Sequence, residues 1–368
     1  MGLRPREGWA ALLLVAAFLT SGFGPPQFMP SDGGQLGLRP AEVRALEAYK
    51  SPIVTARAAA ILDAESGALL YGKHAEEHIQ PASLTKMLTA LVAIEHGQLD
   101  QRITATEHVR VEPVVIGVDP GESLSLQDLL YGLLVWSGND AAVDIAEGLA
   151  GTMPQFADWM NAKAATLGLR NSHFITPHGL DVPGHYSSAE DLARLLAAVM
   201  RQPVLARIVG TREYTIPGPP LYKFHNSNPL LGAYDGVDGG KTGLTDGCGR
   251  CLAVTAVRGG HRVVVVVLDS QNIASDARVL LDFAFSNYSW VPAPDGMLPT
   301  IRSGDKRVTP RLDTVAAVAV LRWEAPEMRT RVVTAADGQG GQPGLRLVVE
   351  SGLRRLGAFA LAAREAVP

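Results

Sequence analysis

Pro81-Ala82-Ser83-Leu84-Thr85-Lys86-Met87-Leu88-Thr89 sets a serine and a lysine three residues apart. An apolar run at helical spacing follows (Met87, Leu88, Leu91, Val92, Ile94). Positions i and i+3 share a helix face, so the Lys86 amine is expected beside the Ser83 hydroxyl. A serine is a poor nucleophile until a neighbouring base takes its proton. A lysine serves as that base when burial or another cation lowers its pKa. Pro81 favours entry into a helix, which places Ser83 near a first turn, where free N–H groups and the positive end of the dipole suit a developing oxyanion.

The spacing alone is weak, since an SxxK arises by chance about once in a chain of this size. Ser303-Gly304-Asp305-Lys306 has it too, and reads as a polar turn with no helix behind it. A second piece lies downstream. Ser125-Leu126-Gln127-Asp128-Leu129-Leu130 opens a helix that Leu133, Leu134 and Val135 continue, and Trp136-Ser137-Gly138-Asn139-Asp140 leads into a new apolar helix from Ala141. Ser137 and Asn139 therefore sit in a tight interhelical turn, facing one cleft or capping a helix. Ser270-Gln271-Asn272 repeats that pattern elsewhere. The third piece is Gly236-Val237-Asp238-Gly239-Gly240-Lys241-Thr242-Gly243-Leu244-Thr245. Here Gly243 permits close approach, Lys241 and Thr242 offer a cation and a hydroxyl, and a strand edge offers backbone groups to an extended peptide. Its glycines lack the spacing of a phosphate-binding GxxxxGK[ST] loop.

Around these pieces, Ala58–Asp63 and Ala68–Tyr71 read as a hairpin, 155–168 and 187–200 as helices, Val263–Leu268 as a buried strand and Asp276–Phe285 as an amphipathic helix. Residues 101–123 read as irregular or β-like. His74-Ala75-Glu76-Glu77-His78 matches the HxxEH zinc-protease spacing, but it lies between a strand and Pro81 and reads as a charged turn. His173–Leu180 reads as a loop with strand character. His178 falls between Pro177 and Gly179, a turn position, and no GxSxG elbow is present, which disfavours a Ser-His-Asp triad.

Composition bounds the rest. The chain has 368 residues, 47% hydrophobic and 19% charged, with a net charge of −4 and no long run of either sign. That is enough for one large and one small domain, and nothing in it suggests a nucleic-acid partner or a polybasic membrane patch. Cys248 and Cys251 are the only cysteines, too few for a four-ligand zinc site. Strand-like Leu252–Val257 follows them rather than the helix a redox CxxC opens. Packing, or a strained local disulfide in an exported protein, is the expectation. Arg4 and Arg6 precede an apolar run from Trp9 to Leu19 and then small residues to Gly24, the form of an export signal or uncleaved N-terminal anchor. The run is shorter than the roughly 20 residues of a spanning helix. Residues 24–40 read as a tether and 41–50 as a short helix.

Taken in order, Ser83-x-x-Lys86, Ser137-Gly138-Asn139 and Lys241-Thr242-Gly243 resemble the three motifs of penicillin-recognising serine acyltransferases. With Asn226-Ser227-Asn228-Pro229-Leu230-Leu231 and Asp238-Gly239-Gly240, they are similar to the low-molecular-mass D-alanyl-D-alanine carboxypeptidases over roughly residues 55–290. The resemblance implies an α/β (α+β) fold of the β-lactamase/transpeptidase type: an antiparallel sheet of about five strands flanked by helices, beside an all-helical region. It implies Ser83 as nucleophile, Lys86 as base, and Ser137 and Asn139 as proton relay and substrate clamp. Lys241 would tune the neighbouring pKa, Thr242 would grip the terminal carboxylate with Gly243 beside it, and the N–H groups of Ser83 and Leu244 would form the oxyanion hole. No metal or cofactor is implied. The partners implied are a peptidoglycan stem peptide and β-lactams, met in the periplasm or on the extracytoplasmic face of the cell membrane.

The expected division is 1–24 signal or anchor, 25–45 linker, 46–292 catalytic domain and 293–368 a small β-rich domain. The last has strands at Val315–Val320, Thr330–Val333 and Leu345–Val349 and a Gly/Gln-rich break at 338–343. No amphipathic membrane helix precedes Pro368, so any membrane association is expected through the N-terminal segment. A β-lactamase of this fold is disfavoured, because Glu147, Glu190 and Glu213 are none of them followed by the LN of an ExxLN loop. A D,D-endopeptidase and a non-catalytic wall- or β-lactam-binding sensor remain the alternatives.

Overall fold

The computed structural model describes residues 51–217, 220–292, 301–303, 306–312, 317–321, 328–335, 344–351 and 354–365, with side chains described for 51–217, 220–292 and 317–321. The expected signal, tether and short N-terminal helix, and the break at 338–343, lie outside the described residues. In chain order the hairpin is β1 (Ala58–Asp63) and β2 (Leu69–Lys73). A short 3-10 turn, Ala82–Thr85, then carries Ser83 into α1 (Lys86–His96). The irregular stretch holds one short pair, β3 (Arg102–Thr104) and β4 (Ser123–Ser125). Next come α2 (Leu126–Tyr131), a single π turn at Gly132–Trp136, α3 (Asn139–Ala150), α4 (Met153–Thr166), α5 (Ala189–Met200) and α6 (Pro203–Val209). A second hairpin, β5 (Glu213–Ile216) and β6 (Tyr222–His225), precedes β7 (Val237–Thr245), β8 (Gly249–Arg258), β9 (His261–Leu268) and α7 (Ile273–Asn287). The remainder is β10 (Tyr288–Pro292), β11 (Ile301–Ser303), β12 (Lys306–Leu312), β13 (Ala317–Leu321), β14 (Met328–Ala335), β15 (Gly344–Ser351) and β16 (Arg354–Glu365).

The central sheet is antiparallel, in the order β2-β1-β9-β8-β7. Successive side chains of a strand point to opposite faces, and here both faces are covered. Ala58, Ala60, Leu62, Ala253, Val264, Val266 and Leu268 pack toward the helical region. Ala59, Ile61, Leu252, Val254, Val263, Val265 and Val267 pack toward Ala277, Leu280, Leu281 and Ala284 of α7. The six residues Val263–Leu268 are fully buried, and each such side chain contributes roughly 1.5–3 kcal/mol. That makes β9 the middle strand and leaves β7, with its glycines, at the edge.

Local chemistry moves the helix ends from their expected places. Thr152 and Ser188 accept N–H groups of Gln155 and Asp191, so α4 and α5 begin at 153 and 189 rather than 155 and 187. Helix α3 begins at Asn139, not Ala141, because the left-handed Ser137 reverses the chain and leaves Gly138 as the cap. Helix α6, unexpected, opens on Pro203. His74–His78 takes turn conformations: Glu77 pairs with Arg57, and His78 stacks on Tyr186. Ser303 and Lys306 are paired in the β11–β12 ladder, and a strand rather than a helix follows Lys306. Cys248 and Cys251 are disulfide-bonded and fully buried.

The three strands expected near the C-terminus are β13, β14 and β15. They are joined by β10, β11, β12 and β16, which are absent from the expectation. The order β11-β12-β16-β15-β14 makes a second five-stranded sheet. Strand β10 pairs with β13, across the expected 292/293 boundary.

Candidate active site

Ala82 takes a positive φ of 49°, which turns the chain sharply just before Ser83. Strand β7 passes against this turn. A Cβ on Gly243 would stand 3.1 Å from Ala82 Cβ and 3.4 Å from Ser83 N, so a glycine lets the strand edge lie beside the nucleophile. One turn on, the Lys86 amine reaches Ser83 Oγ at 2.9 Å, Asn139 Oδ1 at 2.8 Å and the carbonyl of His178 at 2.8 Å. The amide oxygen and the carbonyl only accept, so they take two N–H bonds. The serine hydroxyl either donates or accepts. A neutral amine is therefore fully satisfied here with its lone pair aimed at the Ser83 proton.

Electrostatics favour that neutral form. Lys86 is fully buried, which pushes its pKa well down, and the nearby Lys241 charge pushes the same way against the opposing pull of Asp140. Burial also lowers Lys241, to about 7. Lys241 donates to Ser137 Oγ and to the Thr242 carbonyl, both at 2.9 Å. Ser137 points there because it takes the left-handed conformation (φ 79°) at the end of the π turn. Asp140 accepts the N–H groups of Ile116 and Gly117 at 2.9 and 2.8 Å, clamping that loop to the turn bearing Ser137 and Asn139. Ser83, Lys86, Asn139, Ser137 and Lys241 thus gather from three separate parts of the chain. Thr242 bonds Ser227 through its hydroxyl, and Leu244, 69% exposed, follows Gly243 on the strand edge.

Sequence reasoning missed the wall behind Lys86. Thr89 Oγ1 donates to the Pro177 carbonyl at 2.6 Å, and Thr85 Oγ1 meets His185 Nε2 at 3.0 Å. His185 Nδ1 accepts the N–H groups of Ile175 and Thr176, which places its proton on Nε2. Burial holds His185 at a pKa of about 4, and burial together with the Lys86 charge holds His178 at about 3. His178 is a turn residue as expected. Its Nδ1 accepts from Leu180 of its own loop, and its contribution to the site is a carbonyl. Gly179 (φ 84°) lies against the Ser83 turn and allows that approach. A glycine between turn residues was the only available signal.

Lys241 also links the site to stability. Its folded pKa lies below the unfolded lysine value, so between about pH 7 and 10 the unfolded chain holds more protons and stability rises with pH. Replacing Lys241 with Met is expected to remove this rise. The variant's gain in melting temperature over the wild type should be largest below pH 7 and shrink toward pH 10. A pH-independent difference between the two would contradict burial as the cause.

The sequence matches the family described as D-alanyl-D-alanine carboxypeptidase (peptidase S11) over residues 45–272. It is 36% identical over 248 residues to the D-alanyl-D-alanine carboxypeptidase DacF of Bacillus subtilis, a match covering 64% of this chain and 64% of that one. It is 34% identical to DacC of Escherichia coli, covering 73% and 71%. Among solved structures, penicillin-binding protein 5 of Haemophilus influenzae superposes with a TM-score of 0.73 at 27% identity, over 86% of this chain and 98% of that one. A D-alanyl-D-alanine carboxypeptidase of Mycobacterium tuberculosis does so with 0.61 at 35% identity, over 64% and 92%. A half-buried Ser83 bonded to a buried Lys86 at the start of a helix beside this sheet, with these matches over most of its length, means that the chain belongs to the D-alanyl-D-alanine carboxypeptidase family of serine peptidases.

Proposed function

We propose that the chain removes the terminal D-alanine from peptidoglycan stem pentapeptides through an acyl-enzyme on Ser83, and that β-lactams acylate the same serine. The observation that carries this is the buried Lys86 amine, held by two fixed acceptors with its third direction at Ser83 Oγ. Ser83 Oγ attacks the carbonyl of the penultimate D-alanine and its proton passes to Lys86. The N–H groups of Ser83 and Leu244 receive the oxyanion, each donor of this kind being worth about 3–4 kcal/mol. Ser137, bonded to Lys241, relays a proton to the departing D-alanine. Asn139 holds the substrate amide, and Thr242 with Lys241 holds the terminal carboxylate. Water then frees Ser83.

The same reading assigns residues 46–292 to catalysis and 293–368 to a small β-rich domain, with 1–24 directing export and 25–45 as linker. Peptidoglycan is then met on the extracytoplasmic side, with any membrane hold through the N-terminal segment. Purified residues 41–368 are expected to release free D-alanine from a D-Ala-D-Ala pentapeptide, and Ser83→Ala to release none. No release by a protein whose Ser83 is still acylated by penicillin would favour an endopeptidase or a sensor. Neither signal from a folded protein would refute the site.

A further inference from the structure

We propose that the Cys248–Cys251 disulfide is a positioning element for the oxyanion-binding end of β7, so that acylation of Ser83 depends on its oxidation state. This rests on the Proposed function for the role of Leu244. In the β7–β8 ladder Cys251 stands directly opposite Gly243, the residue lying against Ser83, and the next pair is Leu244 with Arg250. Both cysteines are fully buried in the core that also holds Ala82 and Leu84 of the nucleophile's turn. The disulfide therefore backs the strand edge on which the oxyanion donor is carried.

Besides the disulfide, the hairpin between Thr245 and Gly249 is held by two hydrogen bonds of its tip and by the close approach of Gly247 to Gln80 and of Gly249 to Asp269. Asp246 and Gly247 are exposed. The two bonds are Gly247 N donating to Asp181 Oδ2 at 2.8 Å, on the surface, and Cys248 N donating to Thr245 Oγ1 at 3.1 Å. Loop tips held by exposed bonds open at small free-energy cost. The disulfide joins the end of this loop, at Cys248, to the third pair of the ladder counted from the hairpin, at Cys251. Opening the tip also gives a reductant access to sulfurs that are otherwise covered.

Reduction by a small dithiol balances simply. One thiolate attacks a sulfur of the pair, the mixed disulfide is resolved by the reductant's second thiol, and two electrons and two protons pass to Cys248 and Cys251 while the reductant becomes a disulfide. Two thiols then occupy a close-packed wall without a bond between them, and the loop end is free to shift. Losing one oxyanion donor costs about 100- to 1,000-fold in kcat, so a displaced donor is expected to cost about ten- to a hundredfold. KM should change little, because the donor acts on charge that develops only in the transition state.

The test compares the full chain oxidised, the same protein reduced with dithiothreitol (two thiols confirmed by titration) and the Cys248→Ser/Cys251→Ser variant. It reads acylation by a fluorescent penicillin, kcat and KM for D-alanine release, and amide hydrogen exchange. Reduced protein and variant should acylate about ten- to a hundredfold more slowly. Exchange should speed up over 243–249 but not in α1, and dithiothreitol should have no further effect on the variant. Unchanged exchange over 243–249 on reduction overturns the proposal. So does acylation at the oxidised rate, or a loss accompanied by faster exchange throughout α1, which would mean a merely structural bond. If the oxidised protein is neither acylated nor releases D-alanine, the Proposed function fails, and exchange confined to 243–249 still decides whether the disulfide positions β7.

Discussion

Lys86→Ala is expected to slow acylation of Ser83 by penicillin by about three to four orders of magnitude. Among the described residues the lysine is the only basic group bonded to Ser83 Oγ, and its other two partners leave its lone pair no direction but the serine. In the wild-type protein, acylation should fall as the pH is lowered and Lys86 takes up its proton. Burial and Lys241 place that uptake well below the ordinary lysine range. Removing the amine also strands the Asn139 amide oxygen and the His178 carbonyl, each at about 1–3 kcal/mol when left unpaired. Relief of a buried cation opposes that cost, so the variant should remain folded, which its melting curve reports. Near-normal acylation in a folded Lys86→Ala protein would eliminate Lys86 as the base.

Gly179→Val is expected to abolish acylation without touching any reacting group. A Cβ at this position would stand 2.0 Å from the Ala82 carbonyl and 2.6 Å from Thr85 Oγ1, and the backbone is left-handed as well. A left-handed conformation costs a branched residue roughly 1–2 kcal/mol, and overpacking typically about 1–3 more. At about 2–4 °C per kcal/mol for a domain of this size, the melting temperature should fall by roughly 10 °C. The larger effect is chemical: moving residue 179 away from Ala82 draws the neighbouring His178 carbonyl away from Lys86. Gly179→Ala, with the same clash but a smaller side chain, should fall between the wild type and the valine variant. Wild-type acylation by the valine variant would show that the wall behind Lys86 is dispensable.

These two variants mark what was legible in the sequence. Ser83, Lys86, Ser137, Asn139 and Lys241 stood out because their chemistry needs particular side chains at particular spacings, and the structure bonds Lys86 to Ser83 and Asn139, and Lys241 to Ser137. The His178 carbonyl did not stand out, since every residue has one and only the tertiary path of the chain selects it. The sheet was legible where apolar runs were continuous, as in Val263–Leu268. Strand β16 was not: Leu361-Ala362-Ala363-Arg364-Glu365 is made of good helix formers, and pairing with β12 overrides that preference. The starts of α4 and α5 shifted by two residues, because a threonine and a serine cap, rather than the apolar pattern, set those boundaries.

The pairing of β10 with β13 bears on how the chain tolerates being cut. Trp290 of β10 donates its indole N–H to Asp63 of β1 at 2.8 Å, so this strand is fastened to the central sheet. Its partner lies some 30 residues further on, with Ala319 buried among residues of the α7 layer. A protease nick or a shortened gene ending soon after Pro292 would leave β10 with a bare row of donors and acceptors, a template for a second molecule. Shortened forms meant to avoid such pairing should therefore end beyond Leu321, where β10 keeps its own partner.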